Sequence, residues 1–195
     1  MKNLKTILET INIPNLESSI NWNVDQRGIA SVIEKTVIDI LSANPNLSVK
    51  QPTGAKSMAD VIVNDISIDI KASDMSRKFK MPNLISIDIL RKKVLNVDGK
   101  LLYLFVVYDS ELKKIQDIFT QEVTEINWEY LHICNLGKGQ LQIINFDKFY
   151  NSSNRISPLT KGEWIDTLKN TAVAFYKKLK LKTEERRVDW ITWER

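Results

Sequence analysis

Ala59-Asp60-Val61-Ile62-Val63-Asn64-Asp65-Ile66-Ser67-Ile68-Asp69-Ile70-Lys71-Ala72 contains two β-branched runs separated by a dipeptide suited to a tight turn. Asp60 to Val63 and Ile66 to Ala72 predict the two strands of a hairpin closed at Asn64-Asp65. Side chains two apart on a strand share a face. Ile66, Ile68 and Ile70 therefore point into one layer, while Ser67, Asp69 and Lys71 point together into the other. The hairpin also brings Asp60 near Asp69, so that two carboxylates converge beside a lysine.

Upstream, Arg27 to Ala43 has apolar residues at Ile29, Ala30, Ile33, Val37, Ile40 and Leu41, the recurrence of an amphipathic helix, with Asp25 placed to cap it. Glu34 falls inside the apolar arc, between Leu41 and Ile38 on the helical wheel. A glutamate facing inward needs a partner. Either it is an edge residue reaching solvent, or it is directed at the carboxylates from beneath the sheet.

Pro52 and Gly54 mark a loop before the hairpin. Downstream, Leu84 to Asn96 has helical spacing, and Leu101 to Tyr108 is an apolar run that suits a strand buried on both faces. Lys114 to Ile126 predicts extended structure. Leu131 to Cys134 and Gln140 to Ile144 flank Gly137-Lys138-Gly139 as a second hairpin, and Thr160 with Glu163 has capping-box spacing before a helix to about Lys182. The expected fold class is α/β, a mixed central sheet flanked by helices.

A chain of 195 residues with 43% hydrophobic content suits one domain, residues 1–195, with a core over about 27–110 and additions over about 111–195. There is no run of roughly 18 apolar residues, and the first twelve residues, interrupted by Lys2, Lys5 and Glu9, are unlike a signal peptide. A cytoplasmic location and no membrane partner are expected. One cysteine, Cys134, and one histidine, His132, argue against disulfides, a Cys/His zinc site and histidine-based phosphodiester chemistry. Any phosphate chemistry must rest on carboxylates and lysines.

The net charge of +4 and pI near 9.0 fit a solvated basic surface as well as a polyanion partner. Distribution says more. Between Lys71 and Lys93 stand Lys71, Arg77, Lys78, Lys80, Arg91, Lys92 and Lys93 against Asp74 and Asp88. Lys177, Lys178, Lys180 and Lys182 form a second basic cluster, which also reads as the solvated outer face of a helix. Trp190 and Trp193, near the end of the chain, read as packing or dimer contacts rather than base-stacking groups.

An acidic residue two positions before a lysine occurs three times, at Asp69/Lys71, Asp98/Lys100 and Glu111/Lys113. Only the first lies in a strand pattern; the others read as solvated turns. Taken alone, Asp69 and Lys71 could be an exposed charge pair worth at most about 1 kcal/mol. Asp60 changes that reading, because adjacent carboxylates repel unless a cation sits between them, and a hard divalent ion is the natural occupant.

Helix with Glu34, loop with Gly54, Ala59-Asp60, short hairpin and Ile68-Asp69-Ile70-Lys71-Ala72 together resemble the core of the PD-(D/E)xK superfamily, and within it the type II restriction endonucleases with an EcoRV-like Asp-Ile-Lys site. The resemblance covers residues 29 to 72. With the following helix and the strand Leu101 to Tyr108, it extends over about half the chain. Ala59 stands where the motif has proline, and the step from Asp60 to Asp69 is short.

The resemblance implies a restriction-endonuclease-like sheet and Mg2+-dependent hydrolysis of double-stranded DNA that leaves 5′-phosphate ends. It implies Asp60, Asp69 and the Ile70 carbonyl as metal ligands, Lys71 as the residue that positions the water and helps deprotonate it, and Glu34 as support for a second ion or a ligating water. Arg77, Lys78, Lys80, Arg91, Lys92 and Lys93 become the DNA-binding surface, and a homodimer is expected. A repair nickase or junction resolvase of the same fold, or a DNA-binding protein without activity, is the alternative.

Overall fold

The hairpin turn has the backbone its residues favour: Asn64 and Asp65 both have positive φ, 49° and 64°. This is the primed turn geometry that matches the twist of paired strands. It joins β2 (Val61–Val63) to β3 (Ile66–Asp74), with Val61 opposite Ile68 and Val63 opposite Ile66. The Asn64 side chain accepts from the Ser48 N–H at 2.9 Å and fastens the turn to β1 (Val49–Lys50), which pairs with β2. The computed structural model describes residues 2–52, 58–77, 81–95, 99–136 and 139–192, with residues 2, 3 and 185–192 described by backbone alone.

On its other edge β3 pairs in parallel with β5 (Leu101–Asp109) from Ser67/Leu101 to Asp74/Tyr108. An antiparallel β6 (Lys114–Glu122) completes a mixed sheet of order β1-β2-β3-β5-β6. As expected of a strand covered on both faces, Leu101 to Tyr108 is buried throughout. Leu102, Leu104, Val106 and Tyr108 pack toward α1 (Lys2–Glu9), α2 (Ile13–Ser19) and α3 (Gln26–Ser42).

Leu101, Tyr103, Phe105 and Val107 face the opposite core, where Phe105 stacks on Phe119 at 4.9 Å. Each buried aromatic or aliphatic side chain there contributes roughly 1.5–3 kcal/mol relative to exposure. That second core is closed by a three-stranded antiparallel sheet, order β4-β8-β7, and by three helices. The strands are β4 (Asn83–Ser86), β7 (Leu131–Cys134) and β8 (Gln140–Ile143). The helices are α4 (Ile87–Lys93), α5 (Phe146–Asn151) and α6 (Lys161–Thr192).

The helix expected over Leu84 to Asn96 is shorter than its spacing suggests. Asn83 to Ser86 form β4, paired with β8 through Asn83/Gln142 and Ile85/Leu141, and the helix starts only at Ile87. Leu84, Ile87, Leu90 and Val94 nonetheless enter one core, so the periodicity identifies the buried face and misses the change of backbone. The predicted extended run to Ile126 ends at Glu122 and gives way to a 3-10 turn, Val123–Glu125. The second hairpin forms as read, although Gly137 and Lys138 lie outside the described residues, as do Gly54, Asp98 and Trp193.

Helix α3 is capped by the Asp25 carboxylate, which accepts from the Gly28 N–H at 2.9 Å, and it buries Ile29, Ile33, Val37 and Leu41. Thr160 and Glu163 form the reciprocal cap of α6, with Thr160 N–H donating to Glu163 Oε2 at 2.8 Å. Trp164 then anchors this helix, its indole N–H donating to the Ile126 carbonyl at 2.8 Å. The helix runs on past Lys182 to Thr192, and Val173 and Leu181 on it are 63% and 59% exposed. No helix among the described residues is long and apolar enough to cross a membrane.

Asp65 occupies a left-handed position, and its ion pair with Lys50 at 3.6 Å is solvent-exposed. Asp65→Gly should therefore stabilise the protein by up to about 1 kcal/mol, because glycine takes this backbone without the Cβ penalty. Urea unfolding of both proteins measures it; a loss of stability would show that the ion pair outweighs the turn.

Candidate active site

The first strand of the hairpin is short, and Asp60 compensates for where it ends. Its backbone N–H donates to the Ile68 carbonyl at 2.9 Å, and its Oδ2 accepts from the Ile70 N–H at 2.7 Å. One carboxylate oxygen of Asp60 thus replaces a ladder acceptor and locks the side chain against β3. The Asp60 carboxylate also makes hydrogen-bonding contact with that of Asp69.

Asp69 is only 7% exposed, and Lys71 Nζ lies 2.7 Å from Asp69 Oδ1. The exposed charge pair that the sequence alone permits is excluded, since the Lys71 side chain is also 77% covered, being 23% exposed. Burial pushes the Asp69 carboxyl up to about 7, against the pull of the Lys71 charge and with a further push from Asp60. A carboxylate beside an ammonium ordinarily titrates low. Here desolvation and a second carboxylate win.

Glu34, half-buried on α3, belongs to the same charge cluster. Burial raises its carboxyl first, the Asp60 charge raises it further, and Lys71 draws it down. Glu34 is partly covered and lies within electrostatic reach of Asp60 and Lys71. Asp69 is paired with Lys71 and feels the charge of Asp60, while Glu34 feels both Asp60 and Lys71, an excess of negative charge that a bound cation would offset. Among the described residues no group of three or more acidic, histidine or cysteine side chains is placed to hold an ion by itself. The oxygen donors of Asp60 and Asp69, with the Ile70 carbonyl between Asp69 and Lys71, are chemically suited to a hard divalent cation.

The basic residues divide. Arg77 follows β3 directly, is 62% exposed in its side chain, and lies 3.6 Å from Asp74 Oδ2. Arg91, Lys92 and Lys93 are exposed in the last turn of α4, but Arg91 lines an apolar groove of about 400 Å³ between α4 and α6 with Asp88 and Tyr176. That groove contains none of the residues Glu34, Asp60, Asp69 and Lys71. Lys78 and Lys80 lie outside the described residues. Glu111 and Lys113 sit in the exposed turn after β5, in keeping with their reading as a solvated pair.

Asp74 was visible in the sequence only as an offset to the basic run, and the structure gives it a larger part. Its Oδ1 accepts from Ser76 N–H at 3.0 Å, Ser76 Oγ at 2.8 Å and Ser110 N–H at 3.2 Å, and its Oδ2 from Ser110 Oγ at 2.6 Å. Gln26 Nε2 approaches Oδ2 at 3.4 Å. The strand parity that sends Ile68 and Ile70 inward sends Asp74 the same way, and a buried carboxylate demands such partners. A polar pocket of about 210 Å³ opens here, lined by Gln26, Ser73, Asp74, Arg77 and Tyr108 among others.

No family model matches the chain, and no curated protein matches it.

Burial pushes the Asp74 carboxyl up, but the bonds from Ser110 and Ser76 outweigh it and hold the group at about 2. A folded-state value below the unfolded one near 3.9 means that ionised Asp74 stabilises the fold above about pH 4, and that this is lost as pH falls toward about 2. Asp74→Ala should cost about 2–4 kcal/mol at neutral pH, with the gap to wild type narrowing across that acid window. Urea unfolding at a series of pH values checks it; a gap independent of pH would remove the carboxylate from the explanation.

Proposed function

We propose that this chain is a Mg2+-dependent endonuclease acting on double-stranded DNA, in the manner of a type II restriction enzyme. The observation that supports this most directly is the convergence of Glu34, Asp60, Asp69 and Lys71 from a helix and a hairpin, with Asp69 buried yet poised near neutrality. A purely structural ion pair needs one carboxylate per lysine. This cluster has three.

In this reading Asp60, Asp69 and the Ile70 carbonyl hold the ion, and Glu34 supports a second ion or a ligating water. When bound, the ion lowers the pKa of its water and offsets charge on the scissile phosphate. Lys71, fixed by Asp69, orients the attacking water and helps it give up its proton. The water oxygen bonds to phosphorus, the bond to the 3′ oxygen breaks, and the phosphate remains on the 5′ end. Arg77 lies on the segment after the catalytic strand, where a cation can bind a backbone phosphate.

The restriction-endonuclease-like reading of the fold is supported by the parallel β3/β5 centre, the antiparallel hairpin at its edge and α3 beneath it. Elements beyond β5 then serve DNA recognition and dimer formation. Arg91, Lys92 and Lys93 extend the DNA-facing surface only if a homodimer or the bound duplex reaches α4. Cleavage of both strands of a symmetric site calls for two copies related by a two-fold axis. A cytoplasmic location goes with that role.

The test is incubation with varied plasmid DNA and Mg2+, followed by sequencing of fragment ends. Discrete fragments with 5′ phosphates, abolished by chelation, are expected. Asp69→Ala and Lys71→Ala should each lower the rate by about a hundredfold to ten-thousandfold while DNA binding persists. Nicking of one strand only would favour a repair nickase, and cleavage confined to branched DNA a junction resolvase. Binding without cleavage would leave a DNA-binding protein, and wild-type rates in both variants would move the site elsewhere.

A further inference from the structure

Tyr103 sits in the middle of β5, directly beside Asp69 in the parallel register and on the same face of the sheet. It is completely buried, with its ring 5.9 Å from that of Phe105. Among the described residues its hydroxyl has no hydrogen-bond partner. Buried hydroxyls are nearly always bonded, and an orphan marks a place where a water, an ion or a functional group belongs.

The surroundings narrow the choice. On the β6 side Tyr103 is paired with Gln121, whose Nε2 donates to the Glu125 carbonyl at 3.0 Å. On the β3 side stands the Asp69 carboxylate, close enough that its charge, after burial itself, raises the Tyr103 phenol well above its ordinary value. Toward a carboxylate oxygen a phenol hydroxyl acts as a donor. Asp69 in turn has Oδ1 on Lys71 and is in contact with Asp60. A carboxylate offers about four acceptor sites, so Asp69 keeps room for a further donor, and Tyr103 is its neighbour across the ladder.

We propose that Tyr103 is a positioning residue for the cation site, its hydroxyl donating to the Asp69 carboxylate, directly or across one enclosed water, when Asp69 holds a divalent ion. This rests on the reading of Asp60 and Asp69 as cation ligands. Groups that orient metal ligands from behind typically change metal affinity by about 10- to 100-fold when removed.

Titration calorimetry of the full chain with Mn2+ and with Ca2+, without DNA, separates the possibilities. Tyr103→Phe keeps the ring and removes only the oxygen, so its melting temperature in chelator should equal or exceed that of wild type, while its affinity for either cation falls by about 10-fold or more. Thermal melts supply an independent measure, since the cation-induced rise in melting temperature should shrink in the variant. Equal affinity in the two proteins overturns the inference and leaves the nuclease reading intact. A loss of stability in chelator matched by unchanged cation affinity also overturns it, by showing a structural hydroxyl. No uptake by wild type removes the reading and the inference together.

Discussion

Parallel pairing of β3 with β5 sets the terms for everything near the site. Because β5 is buried along Leu101 to Tyr108, every polar residue that β3 places beside it must be satisfied within the protein. Ser67, Asp69, Ser73 and Asp74 are all buried on a nine-residue strand. A half-exposed sheet could carry the same residues with solvent as their partner. Here each carboxylate has acquired its own local solution, Lys71 and Asp60 for Asp69, two serines and their loops for Asp74.

The two solutions differ in kind. Asp74 is held mainly by neutral donors, the Ser76 and Ser110 groups, with Arg77 at its edge, and its negative charge is the stable state. Asp69 is buried, matched by one cation and opposed by the Asp60 carboxylate, so its charge is balanced near neutral pH. Stable burial of charge and conditional burial of charge occur five residues apart on one strand. The first kind holds a structure together, whereas the second responds to whatever else enters the site.

Much of this could be read from the residues because it follows from short-range rules. Strand parity, a two-residue turn and helical spacing were enough to bring Asp60, Asp69, Lys71 and Glu34 toward one another. What escaped depends on contacts between distant segments. Asn83 to Ser86 became a strand because β8 offers a partner, and nothing local in Leu84-Ile85-Ser86 announces that. The bond between Asp74 and Ser110 joins residues far apart in sequence, and Tyr103 looked like one more apolar strand position until its neighbour across the ladder was known.

The Asp74 cluster also has a mechanical side. Its bonds tie the loop carrying Arg77 to the turn after β5 and to Gln26, in the first turn of the helix that bears Glu34. Three pieces of chain that would otherwise fray separately can open only together, as one cooperative unit. A pull on the loop is thereby felt at the base of α3. The loop after β3 is thus geared to the helix that carries Glu34, and displacement of one is passed to the other.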